Sequence, residues 1–121
     1  MAKIKSEIKS DIKSEIKSFH AHVYYQPEQF EQAQQLCHQA GSLFSIKIGT
    51  FHQKPVGPHP VGMCQLTVAT PLFGEVIPWL MLNREGLVLF IHPDTGDHLK
   101  DHTKHAIWAG EVMTLDLSVF G

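Results

Sequence analysis

The chain has 121 residues and a mass of 13.6 kDa, which suits one domain and excludes two independent hydrophobic cores. Hydrophobic residues make up 43% and charged residues 18%, and the formal net charge of −2 excludes a strongly basic nucleic-acid-binding protein. Cys37 and Cys64 form no CxxC and indicate reduced thiols in a cytoplasmic protein. No apolar run could span a membrane, and we expect no secretory signal. The outlier is a count of nine histidines.

The first residues differ in composition from the rest. Residues 3–18 repeat with a period of four, and the repeat brings Ile4, Ile8, Ile12 and Ile16 into register. As a helix this apolar stripe would drift around the axis, which favours a solvated low-complexity extension over an oligomerisation or docking helix. We therefore divide the chain into an extension, residues 1–18, and one domain, residues 19–121.

The remaining chain predicts an α+β fold. Strands are predicted at residues 19–25, 43–51, 63–69 and 87–92, with a terminal edge strand at 113–119. Helices are predicted at residues 27–41, 70–85 and 97–108, with irregular chain at 52–62. The first six elements follow the ferredoxin-like split βαβ pattern, whose antiparallel sheet has the strand order 4-1-3-2. Its helices cover one face, so the open face and the edge strand predict a homodimer.

Three histidines are predicted to meet on the open face. His20 and His22 are two residues apart on the first strand, so their side chains share a face, with Cα atoms about 6.5–7 Å apart. His92 ends the fourth strand, which is expected to run antiparallel beside the start of the first. Two histidines with a third ligand leave coordination positions open for substrate and dioxygen, as in non-haem Fe(II) oxygenases.

The other histidines are less specific. His59 lies between two prolines, which present it rigidly, although an ordinary turn residue is about as plausible. His52 closes the predicted second strand and could face the same loop. His98, His102 and His105 share one face of the predicted last helix, but no HExxH motif is present, and a solvated face explains His98 and His105. GxSxG, GxGxxG and P-loop motifs are absent from the sequence.

Five segments in order resemble the DOPA 4,5-dioxygenase family of fungi and bacteria, over residues 19 to about 117. The segments are HAHVYY at 20–25, KPVGPHP at 54–60, WLMLNR at 79–84, HPDTG at 92–96, and DH at 101–102 with AIWAG at 106–110. The resemblance implies a small non-haem iron dioxygenase that opens the ring of L-DOPA or a related catechol beside its two hydroxyls. By motif, the histidines that matter are His20, His22, His59, His92 and His102, with His52 a weaker candidate.

We assign the metal to His20, His22 and His92, and acid–base roles to His59 and His102, because a loop and an added helix can close over a site without building it. The usual iron triad includes a carboxylate, for which Asp101, Glu75 and Glu111 are candidates, and an all-histidine set is the alternative. Zinc or nickel could replace the iron in a crystal, or the site could be empty. Two other hypotheses stay open: a non-enzymatic metal- or small-molecule-binding protein, and a cofactor-free ferredoxin-like monooxygenase.

Overall fold

A computed structural model of the chain describes residues 15–121. Within that range, five strands form one antiparallel sheet: β1 (Ser18–Tyr25), β2 (Lys47–Ile48), β3 (Gly62–Ala69), β4 (Val88–Pro93) and β5 (Ile107–Ala109). The spatial order is 2-3-1-4-5. The predicted 4-1-3-2 order is therefore confirmed, and β5 is added beside β4. Part of the predicted extension, residues 1–14, lies outside the described residues.

Between residues 18 and 121, three α-helices accompany the sheet: α1 (Phe30–Leu43), α2 (Phe73–Asn83) and α3 (His98–Asp101). Short 3₁₀ turns lead into α1 and α2, with proline as the first residue of one turn (Pro27) and the second residue of the other (Pro71), where a missing N–H and a fixed φ are favourable. A further 3₁₀ turn, Leu117–Phe120, lies near the C-terminus. Among the described residues no helix has the length and apolarity needed to cross a membrane.

One face of the sheet packs against α1 and α2 and forms the main core. Ala21, Val23 and Tyr25 of β1 point into it, together with the alternate residues Cys64, Leu66 and Val68 of β3. Because successive strand residues point to opposite faces, this alternation directs the intervening residues of β1 and β3 away from the helices. His20, His22 and Tyr24 therefore share the second face.

The second face is covered over β4 and β5 by the C-terminal part of the chain. Trp108 of β5 packs on Phe90 of β4 with ring centroids 4.4 Å apart, and Met113 and Leu115 join the same cluster. Over β2 and β3 the same face carries a cavity of about 260 Å³. One half of this face is thus packed and the other half is accessible.

The last third of the fold differs from the sequence prediction. The helix predicted at residues 97–108 is wrong beyond Asp101, and part of that segment forms β5 instead. The gain in burying Trp108 against Phe90 on the sheet overrides the local helical pattern. The strand predicted at residues 113–119 is also wrong, because Met113 and Leu115 alternate onto the aromatic cluster without pairing in the sheet.

The predicted second strand is shorter than expected. Regular pairing with β3 is limited to Lys47 and Ile48, and an isolated bridge joins His52 to Met63 further along. At that bridge a Cβ on Gly62 would lie 2.7 Å from the His52 carbonyl oxygen, so only glycine permits this approach. The segment 52–62 is thereby held against the end of β3, which places its histidines near the open face.

Candidate metal centre

Strand register brings three histidines together at one end of the open face. His20 is paired directly with His92 across β1 and β4, and His22 follows two residues later on the same face of β1. One ring nitrogen from each of the three lies within 4.8 Å of the other two. His22 and His92 are buried, whereas His20 is only partly buried. The structure therefore brings His20, His22 and His92 into one cluster that is accessible at His20.

Hydrogen bonds at the outer nitrogens prepare two of these rings for a metal. The Nδ1–H of His92 donates to the Pro93 carbonyl oxygen at 2.8 Å, and the Nδ1–H of His22 donates to the Met63 sulfur at 3.4 Å. Neither acceptor carries a proton, so each bond requires a proton on Nδ1. A neutral imidazole then has its lone pair on Nε2, the state in which histidine binds a metal.

The two Nε2 atoms face each other. The Nε2 of His22 lies 3.1 Å from the Nε2 of His92. Two ligands bound at right angles at about 2.1 Å from one metal lie about 3.0 Å apart. Two lone pairs at this distance repel each other unless a cation lies between them. Without a cation, one of the two Nε2 atoms would need a proton, and on His22 that proton would have to leave Nδ1 and break the bond to Met63. The donor set therefore fits a divalent metal.

Electrostatics keep these rings neutral. Burial lowers the pKa of His22 well below its usual value, and neighbouring His59 and His92 lower it further. Burial also lowers the pKa of His92 to about 4 and lowers that of His20. Neutral imidazoles need not lose a proton before they bind a metal, so near neutral pH the cluster is ready for one.

His59 approaches the cluster from the segment 52–62. It is buried, and its ring centroid lies 4.2 Å from that of His22. Its Nδ1 shares a hydrogen bond of 2.7 Å with the Tyr24 hydroxyl. Burial lowers the pKa of His59 to about 4 and raises that of Tyr24, so both side chains are neutral near pH 7. The phenol holds His59 over the site, although His59 is not one of the three clustered ligands.

His102 follows α3 directly and approaches the cluster beside His92, with its ring centroid 6.3 Å from that of His59. Its ring centroid lies 4.1 Å from that of His92 and 4.7 Å from that of Phe120. The Nδ1–H of His102 donates to the His98 carbonyl oxygen at 2.7 Å, which leaves the lone pair on Nε2, and burial lowers the pKa of the ring. The other predicted histidines remain outside: His52 lines the nearby cavity, and His98 and His105 are exposed.

Within residues 15–121 the ligand cluster includes no carboxylate. Asp101 is buried, but its oxygens accept hydrogen bonds from the N–H and hydroxyl of Thr95 at 2.8 and 2.7 Å. Burial would raise its pKa, yet these bonds and one from His105 lower it overall. Asp101 therefore attaches α3 to the turn after β4, while Glu75 and Glu111 are exposed. The geometry favours the all-histidine alternative.

Comparison with known proteins identifies the family of this chain. Residues 19–119 match the model of the Dopa 4,5-dioxygenase family. The chain belongs to this family. It is 32% identical over 80 residues to a DOPA 4,5-dioxygenase of Amanita muscaria, covering 66% of this chain and 35% of that protein. It is 39% identical over 114 residues to an uncharacterized 21.2 kDa protein of Botryotinia fuckeliana, covering 84% of this chain and 62% of the relative. The chain thus spans about one to two thirds of these curated relatives.

A solved structure of a similar protein shows the same fold. It is the crystal structure of a candidate dioxygenase from Nostoc punctiforme, at 40% identity and a TM-score of 0.86. The match covers 89% of this chain and 94% of that one. The α+β fold of this Dopa 4,5-dioxygenase family member is therefore shared over nearly the whole of a solved relative.

Some contacts in this family member were not found by sequence reasoning. Alternation along β1 puts Tyr24 on the same face as His20 and His22, but no sequence pattern predicts its bond to His59. The roles of Met63 and the Pro93 carbonyl carry no motif, because a thioether and a backbone oxygen look the same in any strand. Phe120 could have been noticed only as an isolated aromatic residue near the C-terminus.

Proposed function

We propose that this protein is a non-haem Fe(II) extradiol dioxygenase that opens the ring of L-DOPA or a related catechol with O2. The observation that carries the proposal is the pair of facing Nε2 atoms of His22 and His92, 3.1 Å apart, with His20 alongside. Membership of the Dopa 4,5-dioxygenase family supports the reaction type. In this proposal His20, His22 and His92 hold the metal.

Bound Fe(II) supplies the redox chemistry between a catechol and dioxygen, at coordination positions that three protein ligands leave open. Imidazole is a suitable ligand for iron, and equally for zinc and nickel, which could replace it. The bonds of His92 to Pro93 and of His22 to Met63 orient the two buried ligands. Such outer partners commonly change metal affinity 10–100-fold when they are removed.

His59 and His102 are the proposed acid–base residues. Both rings are held at Nδ1, His59 by Tyr24 and His102 by the His98 carbonyl. Both pKa values are lowered by burial, so each ring is neutral near pH 7 and can take a proton from a catechol hydroxyl. Phe90 packs beside both rings and Phe120 packs beside His102, so aromatic side chains border the acid–base residues.

The test is anaerobic loading with Fe(II), followed by L-DOPA and then air, while ring-fission absorbance is recorded. We expect the absorbance to grow only in the iron-loaded protein, and the zinc-loaded protein is the matched, redox-inert control. Bound iron without any turnover would favour a non-enzymatic metal-binding protein. Turnover by the metal-free protein would favour a cofactor-free monooxygenase.

We also propose a cytoplasmic homodimer, in which residues 1–18 are an extension outside the catalytic domain of residues 19–121. The edge strand that supports pairing is now β5, where Ile107 is exposed, rather than residues 113–119. Light scattering at micromolar concentration tests the dimer, and a monomer at that concentration would contradict it. Removal of residues 1–14 should leave metal content and turnover unchanged.

A further inference from the structure

We propose that hydrogen bonds at Nδ1 fix opposite tautomers in His59 and His102, so that His59 presents an N–H donor to the candidate metal centre and His102 presents a lone pair. Tyr24 is the positioning residue that fixes the tautomer of His59. This inference rests on the proposed function and divides its proton transfer between the two acid–base residues. His102 takes a proton from the catechol, and His59 donates a hydrogen bond to the oxygen that gains negative charge.

The tautomer of His102 is set by a backbone carbonyl. The Nδ1 of His102 lies 2.7 Å from the His98 carbonyl oxygen, which also accepts the backbone N–H of His102 at 3.1 Å. A carbonyl oxygen only accepts hydrogen bonds, so the proton of the neutral ring is on Nδ1. The Nε2 of His102 therefore keeps its lone pair and can take a proton.

His59 has a different kind of partner at Nδ1, because a phenol carries a hydrogen to donate. The Tyr24 hydroxyl lies 2.7 Å from this nitrogen, Tyr24 is 1% exposed, and within residues 15–121 the hydroxyl forms no second hydrogen bond. If Nδ1 carried the proton, the hydroxyl hydrogen would be buried without an acceptor, which is unfavourable. The hydroxyl therefore donates to Nδ1, and the proton of the neutral His59 ring is on Nε2.

Packing holds the Tyr24 hydroxyl in this position. Alternation along β1 directs Tyr24 to the histidine side of the sheet, where its ring packs against Phe90 and Trp108 with centroids 6.1 and 5.9 Å away. The backbone N–H of His59 donates to the Val56 carbonyl oxygen at 3.0 Å, which closes the turn that carries the ring. Tyr24 is too buried to reach a substrate, so its contribution is made through His59.

The two rings flank the buried ligand pair. The ring centroid of His59 lies 4.2 Å from that of His22, and the ring centroid of His102 lies 4.1 Å from that of His92. The centroids of His59 and His102 are 6.3 Å apart, so one catechol bound at the cluster can contact both rings. Opposite tautomers at this separation give that catechol one proton acceptor and one hydrogen-bond donor.

The proton transfer balances without a further reactant. A catechol O–H bond breaks as an N–H bond forms at the Nε2 of His102, which leaves a cationic ring and a negatively charged oxygen. The Nε2–H of His59 keeps its proton and donates a hydrogen bond to that oxygen, and charge-assisted hydrogen bonds are about twice as strong as neutral ones. Two rings with the same tautomer would supply two acceptors or two donors, so opposite tautomers suit this step.

The first experiment measures the tautomers by long-range ¹⁵N–¹H NMR correlation on zinc-loaded protein with labelled histidine, and the signals are assigned by their loss in H59Q and H102Q. We expect the ring proton on Nε2 in His59 and on Nδ1 in His102. Tyr24→Phe removes the donor and keeps the aromatic ring, so it should shift the Nδ1 signal of His59 and leave His102 unchanged. The matched control is Tyr25→Phe, which removes a hydroxyl bonded at 2.6 Å to the His52 carbonyl of the same segment, 52–62, and should shift neither signal.

The second experiment compares glutamine with alanine at each position in the iron-loaded protein. A glutamine amide donates a hydrogen bond, but it cannot take a proton. We expect His59→Gln to recover about tenfold of the kcat lost in His59→Ala, the order expected of one hydrogen bond, and His102→Gln to recover none. Tyr24→Phe should lower kcat by about tenfold with KM and iron content unchanged.

A ring proton on Nδ1 of His59, the same tautomer in both rings, or recovery by glutamine in any pattern other than at His59 alone would overturn the inference. An unchanged His59 signal in Tyr24→Phe would also overturn it. Failure of the proposed function gives a different result. If the zinc-loaded protein has the expected tautomers but the iron-loaded protein opens no catechol, only the proposed reaction fails. If catechols are opened by a protein whose two rings share one tautomer, only the present inference fails.

Discussion

The two faces of the sheet are built from the same strands but serve different purposes. On the helix side, β1 contributes Ala21 and Val23 to a core of apolar side chains that are fully buried. On the other side, the alternate residue His22 is almost equally buried, among His59, His92 and Met63. Burial stabilises the fold on the first face, whereas on the second it prepares neutral imidazoles for a metal and makes their protonation costly.

The substitution His22→Ala tests most directly whether the histidine face holds the metal. We expect this change to remove bound iron and to lower turnover to the level of the metal-free protein. The fold should remain, since His22 contributes no side chain to the main core. Iron per subunit and turnover of L-DOPA are measured together, with His38→Ala, an exposed helix residue, as the control. If the variant keeps its iron and full turnover, the cluster is not the metal centre.

His59→Ala and His102→Ala should separate the acid–base residues from the ligands. We expect each to lower kcat by about 10²–10⁴ while the iron content stays at the wild-type level. The physical reason is that both rings lie beside the ligand cluster without belonging to it. The measurement is iron per subunit alongside kcat. Loss of iron from either variant, to the extent seen in His22→Ala, would make that residue a ligand.

The helix-side core should respond in the opposite way. Leu89→Ala removes a fully buried core side chain from β4, the strand that also carries His92. We expect the free energy of unfolding to fall by about 2–5 kcal/mol because a cavity remains, with iron stoichiometry unchanged at a temperature where the variant is folded. Urea unfolding measures the first quantity and metal analysis the second. Loss of metal from the folded variant would show that the two faces are not independent.

Much of the site could be predicted because alternation and topology both act on β1. A period of two decides which residues share a face, and the split βαβ order decides that β4 lies beside β1. Together they place His20, His22 and His92 in one cluster, as the structure does. His59 was recognised as a rigidly presented side chain, and its position over His22 then depends on the contact of segment 52–62 with β3.

The C-terminal region could not be predicted in the same way. Met113 and Leu115 do alternate, but alternation reports only that every second side chain is buried, and the burial here is against aromatic rings rather than within a sheet. Trp108 lies in a segment whose histidines repeat with helical spacing. Its tertiary contact with Phe90 nevertheless favours the strand β5 over a helix at this position. Such contacts form only once the sheet is assembled, so a short stretch of sequence does not predict them.

Acid should destabilise the histidine face before the helix-side core is affected. The folded-state pKa values of His59 and His92 are lowered to about 4 by burial, below the ordinary value of 6.5. The unfolded chain therefore binds more protons between these values, so the stability of the metal-free protein is full above pH 6.5 and falls as pH decreases toward 4. Urea unfolding at several pH values measures this decline. His59→Gln should make the decline shallower and His38→Gln should not; equal declines in both variants would contradict the assignment.

Met63 packs in the smaller hydrophobic cluster on the histidine side of the sheet, and its sulfur accepts the Nδ1–H of His22. We expect a modest effect from its substitution. Met63→Leu conserves volume, so we expect the free energy of unfolding to change by less than about 1.5 kcal/mol. The leucine cannot accept a hydrogen bond, so the proton can move to the Nε2 that faces His92, where it competes with the metal. A thioether is a weak acceptor, and the loss of metal affinity should therefore lie near the lower end of the 10–100-fold range found for outer partners of metal ligands. Competition with a chelator at pH 7 measures the affinity, and Met81→Leu, at an exposed position on α2, is the matched control. Equal affinities in the two variants would mean that the Met63 sulfur does not set the tautomer of His22.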